Sequence, residues 1–304
     1  MNTLLLIDGN GLIHRAFHAL PDFRSQGIPT GAVYGFISTL HKVITVYNPT
    51  HVITCFDTPA PTFRDALFPA YRAQRPETDK GLIEQFPIIK EFLESAGLPQ
   101  VEKEGLEADD LIGILATRAQ KRKFTVYVLT GDKDIFQLVS DSIFVITPQI
   151  GFSKEKKYDR AAVIDKLGVP PERVADLKAL AGDPADNYKG IPGIGPKTAG
   201  QLINQFGSIE EIYKNIENVD NQNVKAKLIE HKDIAILSKR LAQLIIEDDI
   251  PMTVDEGAFT NYNDTLVNFF QKYNFKSLSS RLMNGKKMEE KQEKKKEENQ
   301  LGLF

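Results

Sequence analysis

The sequence has one cysteine, Cys55, in 304 residues. An internal disulfide and a cysteine-rich zinc site are therefore excluded, and a reducing compartment is favoured. No stretch reaches 18 consecutive apolar residues, so no spanning helix is expected and no membrane partner with it. No basic leader precedes the short first apolar run, MNTLLLIDGN, which reads as a buried strand and not as a signal peptide. Net charge is also scarce: 38 basic against 41 acidic residues leave −3, so any basic surface for a nucleic acid has to be local. No repeat of solenoid period is visible. What remains, 41% apolar and 26% charged residues, is the composition of a globular protein with room for one large domain or two modest ones.

Three apolar runs of strand length end in an aspartate: LLLID at Asp8, VITCFD at Asp57 and VYVLTGD at Asp132. They are nearly continuous instead of alternating, the pattern of strands covered on both faces in a parallel sheet. Helical patterns lie between them, at Val33 to Tyr47 and from Leu111 to Arg118. Strand, helix, strand alternation predicts an open α/β sheet, with ligands gathering beyond the carboxyl ends of its strands. All three aspartates fall there. After about residue 165 the pattern turns helical through ERVADLKALAG, PKTAGQLINQFG, SIEEIYKNI, DIAILSKRLAQLI and DTLVNFFQKY. The expected organisation is a catalytic α/β part over residues 1–165 and a helical part over 166–284. A charged tail over 285–304, rich in Lys and Glu, reads as solvated.

The stretch VLTGDKDIFQLV crowds Asp132, Lys133 and Asp134 at a strand exit. A polar turn capping the next helix would account for one such exit. LEADDLIG adds Glu107, Asp109 and Asp110 at a helix start, where acids also favour the helix dipole. GDPADN adds Asp183 and Asp186 in a turn-rich loop. Taken together these acids converge on one sheet edge, and like charges that close raise each other's pKa unless cations neutralise them. Ligands that are all carboxylate oxygen point to two or more Mg²⁺ or Mn²⁺ ions and not to zinc. Two such ions about 4 Å apart clamp a phosphodiester for hydrolysis.

GIPGIGPKTA is an independent signal. Gly193 and Gly195 let a helix-hairpin-helix turn expose backbone amides, and Lys197 beside the next helix start completes a cradle for a DNA phosphate. TFRDALFPAYRAQRPE interleaves Phe63, Phe68 and Tyr71 with Arg64, Arg72 and Arg75. If helical, it places Tyr71 and Arg75 on one face, where guanidinium groups neutralise phosphate and rings stack on unpaired bases. Arg15, after the first strand, faces the acidic patch.

With these pieces in place the chain resembles the 5′-nuclease family: the 5′→3′ exonuclease domain of bacterial DNA polymerase I and the flap endonucleases. The motifs IDGNGLIHRAFHA, PTGAVYGF, FD at 56–57, YRAQRP, EADDLIG, GDKDIFQLV and GDPADNYKGIPGIGPKTA follow the family order across about residues 1–285. The resemblance implies a PIN-like fold with a mostly parallel sheet flanked by helices, and an all-helical region holding the hairpin. It implies divalent ions on Asp8, Asp57, Glu107, Asp109, Asp110, Asp132, Asp134, Asp183 and Asp186. Catalytic roles follow for Arg15, Tyr71 and Arg72, and DNA contacts for Arg75, Lys133, Gly193, Gly195 and Lys197. A helical arch over about residues 60–95, a duplex-bending wedge at PTGAVYGF and K⁺ at the hairpin belong to the same set, as do DNA with a 5′ flap, nick or RNA primer, a monomer, and a bacterial cytoplasmic, nucleoid-associated location. The family commonly has proline and glycine after DN, where this chain has Tyr188 and Lys189. The terminal Gln300, Leu301, Leu303 and Phe304 of QLGLF are similar to the peptide by which bacterial replication proteins dock on the sliding clamp.

The expectation is a Mg²⁺-dependent 5′→3′ nuclease. An acidic α/β endoribonuclease would lack the hairpin region, and a non-catalytic adaptor on the clamp would have lost several carboxylates. A haloacid-dehalogenase-like phosphatase wants a second aspartate at position 10, where Asn10 stands.

Overall fold

In a computed structural model the chain is described over residues 2–148 and 155–282. β1 (Thr3–Asp8) is flanked by its partners in parallel, β4 (His51–Cys55) on one side and β6 (Thr125–Leu129) on the other. These are the three runs that the sequence marks. Between β1 and β4 come α1 (Gly9–Ala19), a two-rung hairpin of β2 (Arg24–Ser25) and β3 (Ile28–Pro29), and α2 (Gly31–Tyr47). α3 (Phe63–Leu67), α4 (Lys80–Ile83), α5 (Phe86–Ala96), the short β5 (Gln100–Val101) and α6 (Ala108–Lys121) lead to β6. β7 (Ile143–Pro148) joins in parallel and β8 (Glu155–Tyr158) closes the edge antiparallel. The order β5-β4-β1-β6-β7-β8 is a mostly parallel sheet flanked by helices.

Period-two alternation along β1 divides the core. Leu5 and Ile7 face α1, α2 and α5, whereas Leu4 and Leu6 face α6. Strands buried on both faces need the continuous apolar runs that the sequence carries. The register sets Asp8 beside Cys55, so Asp57 emerges two residues farther along β4, and Asp132 follows the end of β6.

α7 (Arg160–Leu167) leads into α8 (Val174–Ala181), a two-rung ribbon of β9 (Gly182–Asp183) and β10 (Tyr188–Lys189), and then α9 (Pro196–Phe206), α10 (Ile209–Lys214), α11 (Gln222–Glu230) and α12 (Lys232–Ala242). Pro196 opens α9 and Gly207 ends it at φ +99°. Leu177, Ile194, Leu202, Ile212 and Leu228 give these helices a core of their own.

Two expectations need correction. The run expected to continue helical to residue 284 instead returns to the sheet. Leu244 and Ile250 pack on the α6 side, and Leu266, Phe269 and Phe270 from α13 (Leu266–Lys272) pack on the α2 and α5 side. The segment over 60–95 is not a continuous helical arch. It breaks into α3, turns through Arg75, α4 and α5, and Arg72 takes φ +54°, which a helix forbids. The tail and QLGLF lie outside the described residues.

One buried ion pair ties these parts together. Arg64, 1% exposed, reaches Asp110 through both terminal nitrogens at 2.7 and 2.9 Å. It also donates to the Leu241 and Gln243 carbonyls, while Asp110 accepts from Ile245 N at 2.9 Å. α3, α6 and the segment leaving α12 thus meet at one guanidinium. A fork of this kind is stable only when every donor is used. Arg64→Met leaves the Asp110 charge buried and unpaired, and urea unfolding should show a loss of about 3–5 kcal/mol. The Arg64→Met, Asp110→Leu double variant should recover part of it; equal losses in both would refute the pairing.

Candidate active site

Each strand-end acid accepts from a backbone amide. Asp8 caps α1, accepting from Gly11 N at 2.8 Å, and its other oxygen receives the Thr130 hydroxyl at 2.7 Å. Glycine at 11 is a steric requirement, because a Cβ there would lie 2.1 Å from Asp8 Oδ2. Asp57 accepts from Ala108 N, the start of α6, at 2.7 Å, and its own amide donates to Asn10 Oδ1 at 3.1 Å. Thr130 accepts from Asp132 N at 3.0 Å, and Asp132 accepts from Asp134 N at 2.8 Å. Asn10 and Thr130 are site residues for which the sequence reading assigned no role. The signal was their place in DGN and LTGD, beside the acids.

The acids fall into two groups. Asp8, Asp57, Asp109 and Asp132 line an open pocket of about 500 Å³, with His14, Arg72 and Arg75 on its wall. Among the described residues none of these four forms an ion pair. Burial pushes Asp8 up to about 6, with Asp57 and Asp132 adding to the rise. Burial likewise lifts Asp109 well above its ordinary value, helped by Asp132, Asp8 and Asp57. Asp132 is raised by burial against the pull of Lys178.

The second group is Asp134, Asp183 and Asp186, whose oxygens lie within 4.8 Å of one another. This group is already matched by cations. Lys178, from the last turn of α8, contacts Asp134 and Asp183. Arg72 Nε and Arg75 Nη2 donate to Asp186 at 3.1 and 2.7 Å, and these guanidinium groups hold its pKa low despite burial.

Glu107 stands between the groups. Burial pushes it up to about 7, against Arg64 at 3.6 Å and Arg72 at 2.9 Å. The Tyr71 hydroxyl donates to Asp186 at 3.2 Å and Glu107 at 3.4 Å. Tyr71 is 5% exposed, so it is no open stacking platform for a base. Asp110 departs most from expectation: it is turned away from the pocket and saturated by Arg64, Ile245 N and Glu107 N. Arg15 is half-buried near Gly131, at the exit of β6, and Lys133 is exposed. At the hairpin Gly193 adopts φ +76°, Gly195 precedes α9 and Lys197 is exposed, all at one end of the helical part. Tyr188 and Lys189 form β10, and Tyr188 is buried against Tyr71.

The sequence matches the family described as 5′-3′ exonuclease, N-terminal resolvase-like domain, over residues 3–168, and 5′-3′ exonuclease, C-terminal SAM fold, over residues 169–265. The chain belongs to the 5′-3′ exonuclease family. A 5′-3′ exonuclease of Aquifex aeolicus is 38% identical over 84% of this chain and 86% of its own length. DNA polymerase I of Bacillus caldotenax is 38% identical over 95% of this chain, which spans about a third of that relative. Among solved structures, a bacteriophage T5 protein co-crystallised with metal ions superposes with TM-score 0.68 at 22% identity, covering 90% of this chain and 98% of its own. The catalytic core of Rad2 in complex with DNA substrate gives 0.59 at 16%, covering 93% and 92%. These likenesses establish a shared PIN-like nuclease fold. No described helix is long and apolar enough to cross a membrane.

The raised acids make metal-free stability depend on pH. Asp8 moves from 3.8 to about 6 on folding. The folded form therefore holds a proton that the unfolded chain has lost, and the stability this gives at low pH disappears as pH rises through 6. Asp109 and Asp132 act in the same direction. Asp186, lowered, acts oppositely but is fully ionised by pH 5. The melting temperature in chelator should fall between pH 5 and 7.5, and Asp8→Asn should flatten the fall; a rise over that range would contradict the assignment.

Proposed function

We propose that the chain is a divalent-metal-dependent 5′→3′ exonuclease and 5′-flap endonuclease that hydrolyses DNA, and RNA primers on DNA, in replication and repair. The observation that carries this reading is the convergence of Asp8, Asp57, Asp109 and Asp132 on one open pocket, where none of the four forms an ion pair among the described residues. Oxygen-only donors suit Mg²⁺ or Mn²⁺. The four pocket acids would hold one ion directly or through water, and Asp134, Asp183 and Asp186 a second. Bound there, such ions lower the pKa of a water and offset the charge that builds on a phosphodiester.

The chain's own residues do the rest. Arg72 and Arg75 border the pocket, so a strand phosphate meets positive charge at the rim, and Arg15 of α1 lies near Gly131 at the exit of β6. Tyr71 and Glu107 orient one another and Asp186. The hairpin presents Gly193, Gly195 and Lys197 to a duplex backbone, the kind of contact that positions DNA without reading sequence, with K⁺ as its natural counter-ion. A bacteriophage T5 flap endonuclease has been crystallised with DNA and metal ions, in accord with this reading. A non-catalytic adaptor is disfavoured because all of its dispensable acids are in place.

A labelled 5′-flap or nicked duplex should be cut only with Mg²⁺ or Mn²⁺. Asp132→Asn should lower turnover by more than about 10²-fold while sparing DNA binding; retained turnover would refute the metal role. The sliding clamp is the proposed partner of QLGLF, on sequence alone. Deleting residues 300–304 should weaken clamp pull-down and leave cleavage of short DNA intact, and unchanged pull-down would refute the tether.

A further inference from the structure

The two acidic groups differ in how they are neutralised. Among the described residues the four pocket acids form no ion pair, and Asp132 feels Lys178 and Arg72 from a distance. Asp134 and Asp183 share the Lys178 ammonium, whose side chain is 17% exposed. Because the oxygens of Asp134, Asp183 and Asp186 lie within 4.8 Å of one another, that ammonium stands where a cation bridging them would stand. We propose that Lys178 is a resident counter-cation of the second acidic group, and that a divalent ion binds there only by displacing it.

The inference rests on the two-ion reading above and adds a reason for the ions to be unequal. An ammonium contacts carboxylate oxygen at about 2.8 Å and Mg²⁺ at about 2.1 Å, so the two cannot share the space, and their charges repel. Lys178 is fixed at its backbone by α8, but its four-carbon stem can swing its head to solvent. Neighbouring chemistry favours an incoming ion with its water. The Tyr188 hydroxyl is buried with no hydrogen-bond partner among the described residues, and Asp183 and Asp186 are the charges that act on it most strongly. A water carried by the ion would satisfy it, which an ammonium on the acids does not. An ion at this group has to displace a tethered lysine, whereas none of the four pocket acids is in contact with a basic side chain among the described residues, so the ion at this group is the weaker.

The test is calorimetric titration of the full chain with Mn²⁺, without DNA, so that binding is read apart from cleavage. Wild type should bind one tighter and one weaker ion. Lys178→Met should tighten the weaker one about tenfold or more, because a unit charge within contact distance is removed. Lys178→Arg, which keeps the charge, should leave it as weak as in wild type. Asp183→Asn in the Lys178→Met background should remove it. Melting curves give a second readout: the Mn²⁺-induced rise in melting temperature should be larger in Lys178→Met than in wild type, including the case where the variant folds only with metal. Equal affinity and equal rise in the two proteins overturn the displacement while leaving two-ion binding intact. A wild type that binds no ion sinks the functional reading as well.

Discussion

Too many carboxylates in one place is the constraint on which this protein is built. Seven acids from strand ends, one helix start and one loop come together at the carboxyl edge of a sheet. Repulsion among them has to be met by protons, by basic side chains or by metal. The chain meets it differently in different places. In the open pocket burial and mutual repulsion raise Asp8 and Asp109, and none of the four acids there has an ion pair among the described residues. Lys178, Arg72 and Arg75 serve the loop side. The fold is otherwise arranged to hold these groups still: Asp8 caps α1, Asp57 receives the first amide of α6, and Thr130 ties Asp8 to the exit of β6.

The scaffold makes that placement rigid by fixing it with strand register. Because Asp8 pairs with Cys55 and Ile7 with Leu129, the three strand exits cannot slide without moving buried leucines to the wrong face of the sheet. The helical part contributes its acids through β9 and β10, where Asp183 pairs with Tyr188. Its position is set by Arg64, which bonds Leu241 and Gln243 carbonyls as well as Asp110. The geometry between the two halves of the site therefore depends on a residue that touches neither acidic group of three or four.

Much of this is legible in the sequence, for a physical reason. Strands buried on both faces must be continuously apolar, so LLLID, VITCF and VYVL identify themselves and their exits. The two-residue β5 and the edge strand β8, Glu155–Tyr158, carry too little apolar pattern to be seen. The helical spacing that would put Tyr71 and Arg75 on one face does not apply where Arg72 turns at φ +54°. The resemblance assigns Asp110 to a metal together with Asp109, yet a helix start sends Asp109 and Asp110 in different directions. Only the contact with Arg64, 46 residues away, decides which one leaves the pocket. Lys178 was hidden for the same reason: within ADLKALAG it looks like a solvated charge on a helix.

The basic residues have a double allegiance that links the metal-free arrangement to DNA. Arg72 and Arg75 are spent on Asp186 and Glu107 in the present structure, yet they border the pocket that a phosphate would enter. A guanidinium cannot fully neutralise a carboxylate and a phosphate together. Metal on the loop-side acids would relieve the arginines of that duty and leave their charge free at the rim. Ion loading and strand capture would then reinforce each other through the same side chains. Coupling of that kind requires only that the metal and the arginines compete for one carboxylate while the phosphate binds the arginines, and the placement of Asp186 between Arg72 and Arg75 would allow it.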